Sequence, residues 1–167
     1  MDLPRLDPLP GYNFRVALIE GDSVGAALLS GLAGLALGGF SEVSGLDASI
    51  GIYEHLEGGV NDRVHKFADR ASYSNITLKR GVGLSEDLYL WHQDFIKGEG
   101  AARNGLIVLA NDLGIPIKVW TFFNGIPVKW TGPEFNAMTS AIAVESLEIA
   151  HEKVELTLSP GMLTSLI

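Results

Sequence analysis

The sequence predicts a mainly β fold, a β-sandwich or partial barrel with one α-helix packed on it. Apolar and polar residues alternate along much of the 167-residue chain, which is the pattern of half-buried strands. A strong helix signal stands at residues 84–95, directly after a strand and a glycine turn. Because a single amphipathic helix must bury its apolar stripe on something, a helix lying on a sheet is the simplest architecture.

The composition is that of one globular domain that is short of charge. Charged residues make up 19% of the chain and hydrophobic residues 47%, a balance that suggests apolar surface covered in an oligomer. The chain has no cysteine, which excludes disulfides and cysteine-based zinc sites. A net charge of −8 argues against nucleic-acid binding through phosphates, so we expect no sequence-specific binding of this kind.

The first third of the chain contains a strand between two unusual segments of a single domain that we place at residues 1–167. Residues 1–12 form a proline-rich N-terminal extension without the layout of a secretory signal, so we expect assembly in the cytoplasm. Residues 13–19 alternate and predict the strand, with one apolar face. Residues 23–37 are an insertion of apolar and small residues. We favour a loop or hairpin packed on a neighbour over a transmembrane segment, because the run is short and rich in glycine, and we expect no membrane insertion.

The segment around the helix carries the clearest local signals. Two further strands are predicted at residues 39–46 and 48–57, with a bend at Gly45 between them. Residues 75–80 alternate again and predict a half-buried strand. Ser85 is predicted to cap the helix N-terminus and Gly98 to end the helix. The apolar stripe that we expect to pack into the core comprises Leu84, Leu88, Trp91 and Phe95.

The second half of the chain begins with two apolar strands. They are predicted at residues 106–110 and 115–123, and both faces of the second strand are apolar enough to be covered. Asn124 and Gly125 form a strong hairpin signal, with a return strand at residues 128–130.

Residues 141–158 fit a helix and a strand about equally well. Helical spacing links Ala143, Leu147 and Ala150, and the Glu, Ala and Lys content supports a helix. In a strand, the apolar side chains would instead have to change from one face of the sheet to the other near Glu145, as happens at a β-bulge. The pattern alone leaves both interpretations open.

No motif specifies catalysis. Residues 98–105 begin like a dinucleotide-binding glycine loop but carry Arg103 in place of the third glycine. His151 starts a sequence that lacks the second histidine of a zinc-protease motif, and the other histidines show no ligand spacing. We therefore expect no catalytic residue, no metal and no cofactor. The opposing hypothesis is a small β-barrel enzyme or ligand-binding domain, which would be a monomer of 17.9 kDa.

Several short motifs follow one another in an order that is characteristic of a known family. They are GGFSEVSGL (38–46), EGG (57–59), YSNITLKRG (73–81), RNGLIVL (103–109), WTFFNGIPVKWTGPEFNA (120–137) and VESLEIAHE (144–152). Each motif alone is weak, but together they resemble the tail tube proteins of contractile phages and of related bacterial contractile injection systems. The chain departs from this family in its long apolar insertion, and at residues 66–70, where family members commonly carry Pro-Gly before the arginine.

The resemblance implies a structural function. Six copies of such a protein close their sheets into a continuous β-barrel around a lumen, with the helix outside, and the hexameric rings stack into the inner tube that a contracting sheath drives through a target envelope. The implied partners are further copies of the chain, sheath, baseplate and tube-terminator proteins, and a protein cargo in the lumen. The resemblance also implies that residues 141–151 are strand. The alternative is a secreted hexameric ring protein of the type VI secretion kind, which acts as both tube and effector carrier.

Residues 58–71 break the strand periodicity, and we expect them to form an extended arm that reaches a partner. The basic residues of this arm are expected to pair with acidic groups, among them Glu86, on an adjacent subunit or ring. The alternative is a solvated loop whose charges pair within the chain. The residues predicted at the subunit or ring interface are Glu54, Glu57, Gly58, Gly59, Arg63, Lys66, Arg70, Lys79 and Arg80.

Overall fold

The structure is a computed structural model that describes residues 11–20, 39–60, 62–83 and 85–158. The predicted insertion at residues 23–37 and the stripe residue Leu84 lie outside this part of the chain. The elements that the structure describes are β1 (Phe14–Glu20), β2 (Glu42–Ser44), β3 (Ala48–His55), β4 (His65–Tyr73), β5 (Ile76–Gly81), α1 (Asp87–Lys97), β6 (Arg103–Ala110), β7 (Pro116–Thr131), β8 (Val144–Ala150) and β9 (Lys153–Leu158).

Strand β7 belongs to two sheets and joins them. Its first half pairs with β6 on one side and with β9 on the other, and β6 pairs with β1. We call this antiparallel sheet, β1-β6-β7-β9, the first sheet. The second half of β7 pairs with β8, which is followed by β5 and β2, and this is the second sheet. The mainly β fold with a helix packed on it is therefore confirmed.

The predicted hairpin at Asn124 and Gly125 is wrong, because the chain continues through both residues in one strand of 16 residues. Asn124 has φ 52, a left-handed conformation that asparagine tolerates, and it bends the strand without reversing it. A β-carbon at Gly125 would lie 2.9 Å from the carbonyl oxygen of Arg103, so the bend needs glycine here. Beyond it, Ile126 already pairs with Ala150 of the second sheet.

The hydrophobic core lies between the two sheets and under α1. The helix contributes Leu88 and Trp91, both almost completely buried, and Phe95 packs against the same core while half-buried. This confirms the predicted packing of the helix stripe for the residues that the structure describes. Burial of each such side chain contributes about 1.5–3 kcal/mol. The core cluster comprises Val16, Leu18, Ile76, Leu78, Leu88, Trp91, Ile107, Phe122, Leu147 and Ile149.

Part of the first sheet is buried on both faces. Val16 and Leu18 face the core, while Ala17 and Ile19 point to the opposite face and are 4% and 5% exposed. The predicted alternation in the first strand is thus replaced by a run of four residues, from Val16 to Ile19, that is buried on both faces although β1 is an edge strand. In β7, Val119 on that opposite face is also fully buried, as predicted for residues 115–123.

The helix ends as predicted but starts differently. Gly98 takes a left-handed conformation with φ 82, and its N–H donates to the carbonyl of Phe95. Glu86, not Ser85, occupies the N-cap position, and no side chain caps the helix there. The Ser85 hydroxyl donates instead to the Asp87 carboxylate.

Residues 144–150 and 153–158 are strands, so the strand interpretation is confirmed for these residues and the helical one is wrong, while residues 141–143 lie before the strand. The predicted facing switch near Glu145 is also wrong, because the pairing of β8 with β5 runs without a shift from Val144 to Ile149. Glu145 is buried beside Leu147 and Ile149, whereas Val144 is 42% exposed. The core face at this point of the strand is thus occupied by the acidic Glu145 and not by the apolar Val144.

Strands β3 and β4 form a separate two-stranded sheet, which we call the hairpin. The predicted arm at residues 58–71 is therefore not a loop throughout, since β4 begins at His65. Every residue of β3 is exposed, so the hairpin projects from the sandwich. The predicted bend at Gly45 is confirmed, with φ 87 between the end of β2 and the start of β3.

Candidate self-assembly interface

The first sheet has two edges without a strand partner in the described part of the chain. Strand β1 pairs only with β6, and β9 pairs only with β7. All the pairings are antiparallel, so β1 and β9 also run in opposite directions. A second copy that laid its β1 beside β9 would continue the antiparallel order of the sheet. Such edges present unpaired N–H and C=O groups and invite pairing with another chain.

Charged side chains line the β9 edge. Lys153 and Glu155 form an ion pair, and the hydrogen bond from the ammonium together with Coulomb attraction raises the pKa of Lys153. At the start of the strand, Glu152 accepts a hydrogen bond of 2.8 Å from the amide of Asn124. Exposed charges on a sheet edge oppose indiscriminate pairing, so the edge favours a partner of defined register.

The hairpin carries charged groups that the sequence predicted at the interface. Lys66 lies 3.5 Å from Glu54 across the two strands, and His65 lies 3.0 Å from Glu57. Arg63, in the connection before β4, lies 3.5 Å from the carboxylate of the adjacent Asp62. All of these side chains are exposed, so each pair contributes little to stability. In the described chain Arg70 forms no ion pair, while Gly58 and Gly59 lie in the connection between β3 and β4, with open space around them.

The hairpin also exposes large apolar side chains, which the sequence analysis did not single out. Ile50, Ile52 and Phe67 are 63%, 64% and 54% exposed. Together with Lys66 and Ala68 they line an open cavity of about 320 Å³. A two-stranded hairpin is marginally stable alone in water, and exposed clusters of this kind mark interaction surfaces. The signal available in the sequence was the alternation of isoleucine with small residues at positions 49–52.

The remaining two predicted interface residues differ from each other. Lys79 is half-buried and its ammonium lies 2.9 Å from the carboxylate of Glu42. The side chain of Arg80 is only 5% exposed, and its Nε donates to Glu145 Oε1 at 2.6 Å. Trp130 Nε1 donates to the other carboxylate oxygen at 3.0 Å. Arg80 therefore stabilises its own chain, and its burial keeps the guanidinium from a neighbouring copy.

Among the described residues, no group of three His, Asp or Glu side chains is arranged to hold a metal ion. No helix in the described ranges is long and apolar enough to cross a membrane.

The unpaired edges and the exposed hairpin are features of a structural β protein whose sheet can pair with a further chain. The family model of the T4-like virus tail tube protein gp19 matches residues 10–155, and the chain belongs to this family. It is a tail tube protein of the kind found in contractile injection systems.

Solved structures support this assignment. The chain is 26% identical to a chain of the PVC sheath-tube complex, an extracellular contractile injection system in the extended state, with a TM-score of 0.74 over 90% of this chain and 91% of that chain. It is also 26% identical to a chain of the PVC sheath/tube terminator, with a TM-score of 0.76 over 91% of this chain and 98% of the other. A chain of the anti-feeding prophage baseplate shares the fold, with a TM-score of 0.77 at 23% identity over 93% and 98% of the two chains. A comparison with curated proteins gives no match.

Proposed function

We propose that six copies of this tail tube protein close into a ring by pairing β9 of each copy with β1 of the next. The observation that carries the proposal is the first sheet, whose two open edges run in opposite directions. Such pairing satisfies both open edges of the first sheet. Each copy would add four strands to a continuous antiparallel barrel around a lumen.

The rings would stack through the hairpin. Its apolar residues Ile50, Ile52 and Phe67 would be covered by the adjacent ring, which removes the cost of exposing them. Arg70 and the other cations of the hairpin would reach acidic groups there. Stacking one face of a ring on the opposite face of the next is a heterologous contact that does not close, so it propagates into a tube.

The resulting tube is a structural part without catalysis. The related chains belong to a sheath-tube complex, a tube terminator and a baseplate, which supports sheath, terminator and baseplate proteins as partners here. The lumen would let a cargo pass. Assembly would take place in the cytoplasm, and the tube would leave the cell as part of a particle.

Electron microscopy and sedimentation of the purified protein test this function. We expect hexameric rings that lengthen into tubes as the concentration rises. Rings that never stack would favour the type VI secretion alternative. A monodisperse monomer of 17.9 kDa at every concentration would refute the assembly altogether.

The edge pairing can be tested separately with cysteines, because the chain has none of its own. Register places Arg15 of β1 and Glu155 of β9 on the same face of the first sheet. Oxidation of rings that carry Arg15→Cys with either Lys153→Cys or Glu155→Cys should give a ladder of covalent multimers that ends at the hexamer. The single-cysteine variants are the controls and should give no ladder. Rings without any cross-link would mean that other surfaces close them.

A further inference from the structure

We propose that a single strand register joins neighbouring copies in the ring, with Arg15 of one copy directly opposite Glu155 of the next. In this register Phe14 of the first copy also lies opposite Leu156 of the second. These residues would make a second copy of this chain, in one alignment, the partner of each open edge. The proposal rests on the ring pairing of β9 with β1 described above.

The backbone hydrogen bonds of β1 show which of its residues can bind a further strand. Alternate residues of an edge strand direct their N–H and C=O groups away from the sheet. The N–H of Ala110 in β6 donates to the carbonyl of Asn13 at 2.9 Å, so Asn13 faces β6, and by alternation Arg15 does too. The backbone groups of Phe14 and Val16 therefore point to the open edge.

The same alternation, followed across β6 and β7, identifies the outward residues of β9. It turns the backbone of Thr121 toward β9, where Thr121 is paired with Glu155. The backbone groups of Val154 and Leu156 therefore point to the open edge. Val154 is paired with Phe122 of the core cluster, so these two side chains lie on the core face of the sheet.

The two edges of the first sheet are thus compatible with each other. On both edges, the residues with outward backbone groups are those whose side chains face the core. Two copies can therefore exchange hydrogen bonds while their core faces remain continuous. A shift of one residue would move every side chain of β9 to the wrong face, so the possible registers differ by steps of two residues.

The exposure of side chains on the core face favours one of these registers. Val16 is already fully buried within its own chain, whereas Phe14 is half-buried and Leu156 is 36% exposed. Placing Phe14 opposite Leu156 covers the two side chains that still have apolar surface to bury. A shift of two residues would place Leu156 beside the buried Val16 instead.

The extent of regular pairing in β9 agrees with this register. The pairing of β9 with β7 is regular from Lys153 to Leu156 and shifts beyond that residue. In the proposed register these four residues lie opposite residues 14–17 of the next copy, so the whole regular part of β9 is used.

Charges on the opposite face favour the same register. Arg15 is exposed and forms no ion pair with the residues that the structure describes, while Lys153 and Glu155 follow each other on this face of β9. Opposite charges directly across two strands stabilise their pairing, and like charges destabilise it. The proposed register places Arg15 opposite Glu155. A shift of two residues places it opposite either Lys153 or the uncharged Thr157.

A disulfide between Ala17→Cys and Lys153→Cys reports this register while Arg15 and Glu155 remain in place. In the proposed alignment the two cysteines are directly opposed without a hydrogen bond, with Cα atoms about 4.5 Å apart, which a disulfide can bridge. Oxidation of rings should give covalent multimers that end at the hexamer.

Shifted registers are reported by matched pairs of cysteines. Ile19→Cys with Lys153→Cys reports a shift of two residues, and it should cross-link at least about tenfold more slowly, because diagonal neighbours lie about 7–8 Å apart. For a shift in the other direction, Arg15→Cys should cross-link faster with Glu155→Cys than with Lys153→Cys. A faster reaction in either shifted pair would overturn the proposed register.

Charge reversal tests the two charged residues themselves, in the chain that carries Ala17→Cys and Lys153→Cys. Arg15→Glu should raise the protein concentration at which half of the chains are in rings about two- to thirtyfold, since repulsion replaces attraction in an opposed pair. Adding Glu155→Arg should return this concentration to within about threefold of its starting value, because the pair attracts again. Lys97→Glu, the same change in charge at an exposed position of α1, is the control and should have no effect. No effect of Arg15→Glu, or no recovery in the double variant, would overturn the proposal.

The failure of this proposal and that of the ring pairing are distinguishable. Rings that cross-link fastest in a shifted pair would overturn the register and leave the pairing of β9 with β1 intact. Rings that cross-link in none of these pairs would refute the pairing of the two strands, and the register with it.

Discussion

At the scale of single residues, the buried pair of Arg80 and Glu145 determines how the second sheet is held. Arg80 in β5 stands opposite Glu145 in β8, and Trp130 in β7 occupies the second carboxylate oxygen. The Arg80 Nη2 also donates to the carbonyl of Ser85 at 2.8 Å. This satisfies the buried charges and fixes the chain that leads into α1.

Removal of one partner of this buried pair should therefore lower the free energy of unfolding. Glu145→Ala leaves the Arg80 guanidinium buried without its carboxylate, and we expect a loss of about 3–5 kcal/mol in the free energy of unfolding. The double variant Arg80→Met with Glu145→Leu should recover most of that loss, because apolar residues of similar size need no partner. Urea denaturation measures both variants. A loss below about 1 kcal/mol in the single variant would contradict this account.

A second prediction at this scale concerns Tyr12, whose hydroxyl donates to Asp112 Oδ1 at 2.8 Å. The hydrogen bond, with Coulomb repulsion from the carboxylate, raises the pKa of Tyr12 above its ordinary value of 10.0. The hydrogen bond therefore contributes to stability below pH 10.0 and is lost as the pH rises through the raised pKa. Asp112→Asn should lower the tyrosine pKa in an ultraviolet titration, and Tyr12→Phe identifies the signal. An unchanged titration in Asp112→Asn would exclude the contact.

At the scale of elements, the sequence pattern correctly predicted those strands and the helix that bury one apolar face in the core. The alternation of Ile76 and Leu78 and the helix stripe were reliable, because each buries one face in the core. Asn124 misled because its preference for a left-handed conformation serves a bend inside a strand as well as a turn. Only pairing with β8, distant in sequence, selects the bend.

The hairpin is an element that the sequence pattern does not reveal. Its strands are exposed on both faces, so no burial pattern was available to predict β4. Of the candidate interface, the charges of the hairpin were visible in the sequence, whereas the edges β1 and β9 emerged only from the strand order. The burial of Arg80 was not visible either, since it depends on Glu145.

The bend before the hairpin should depend on glycine. A β-carbon at Gly45 would lie 2.0 Å from the carbonyl oxygen of Asn75, and φ is 87, so Gly45→Ala combines a clash with backbone strain. We expect a loss of about 1–3 kcal/mol in unfolding free energy. Gly58→Ala, at a glycine with open space around it, is the control and should be near neutral. Equal effects of the two substitutions would contradict the role of the bend.

The charges of the hairpin should act on stacking more than on folding. Replacement of Arg63, Lys66 and Arg70 by Ala should shorten tubes while leaving rings intact, because each exposed ion pair stabilises the single chain by less than about 1 kcal/mol. The lengths are measured by electron microscopy. Tubes of unchanged length and yield would refute a role in stacking. The control, with the same change in net charge, replaces Lys97, Lys118 and Lys129.

At the scale of the whole molecule, net charge opposes the assembly that the sheet edges favour. Six copies of a chain with net charge −8 would carry −48 in the proposed ring, and successive rings would repel each other. The attraction between rings would act at contact, through apolar side chains such as Ile52 and Phe67 together with the cations of the hairpin. The electrostatic repulsion between rings therefore has a longer range than the contact attraction, and added salt weakens the repulsion more than the attraction.

This difference in range predicts how tubes respond to salt. At about 10 mM salt the screening length is about 30 Å and repulsion reaches across a ring, whereas at about 150 mM it is about 8 Å. Tubes should therefore lengthen over this interval, as measured by sedimentation and electron microscopy. Replacing the exposed Glu99 and Glu134 by Gln reduces the net charge to −6 and should move the transition to lower salt. Tubes that shorten steadily as salt rises would show instead that attraction between opposite charges, and not apolar contact, holds the rings together.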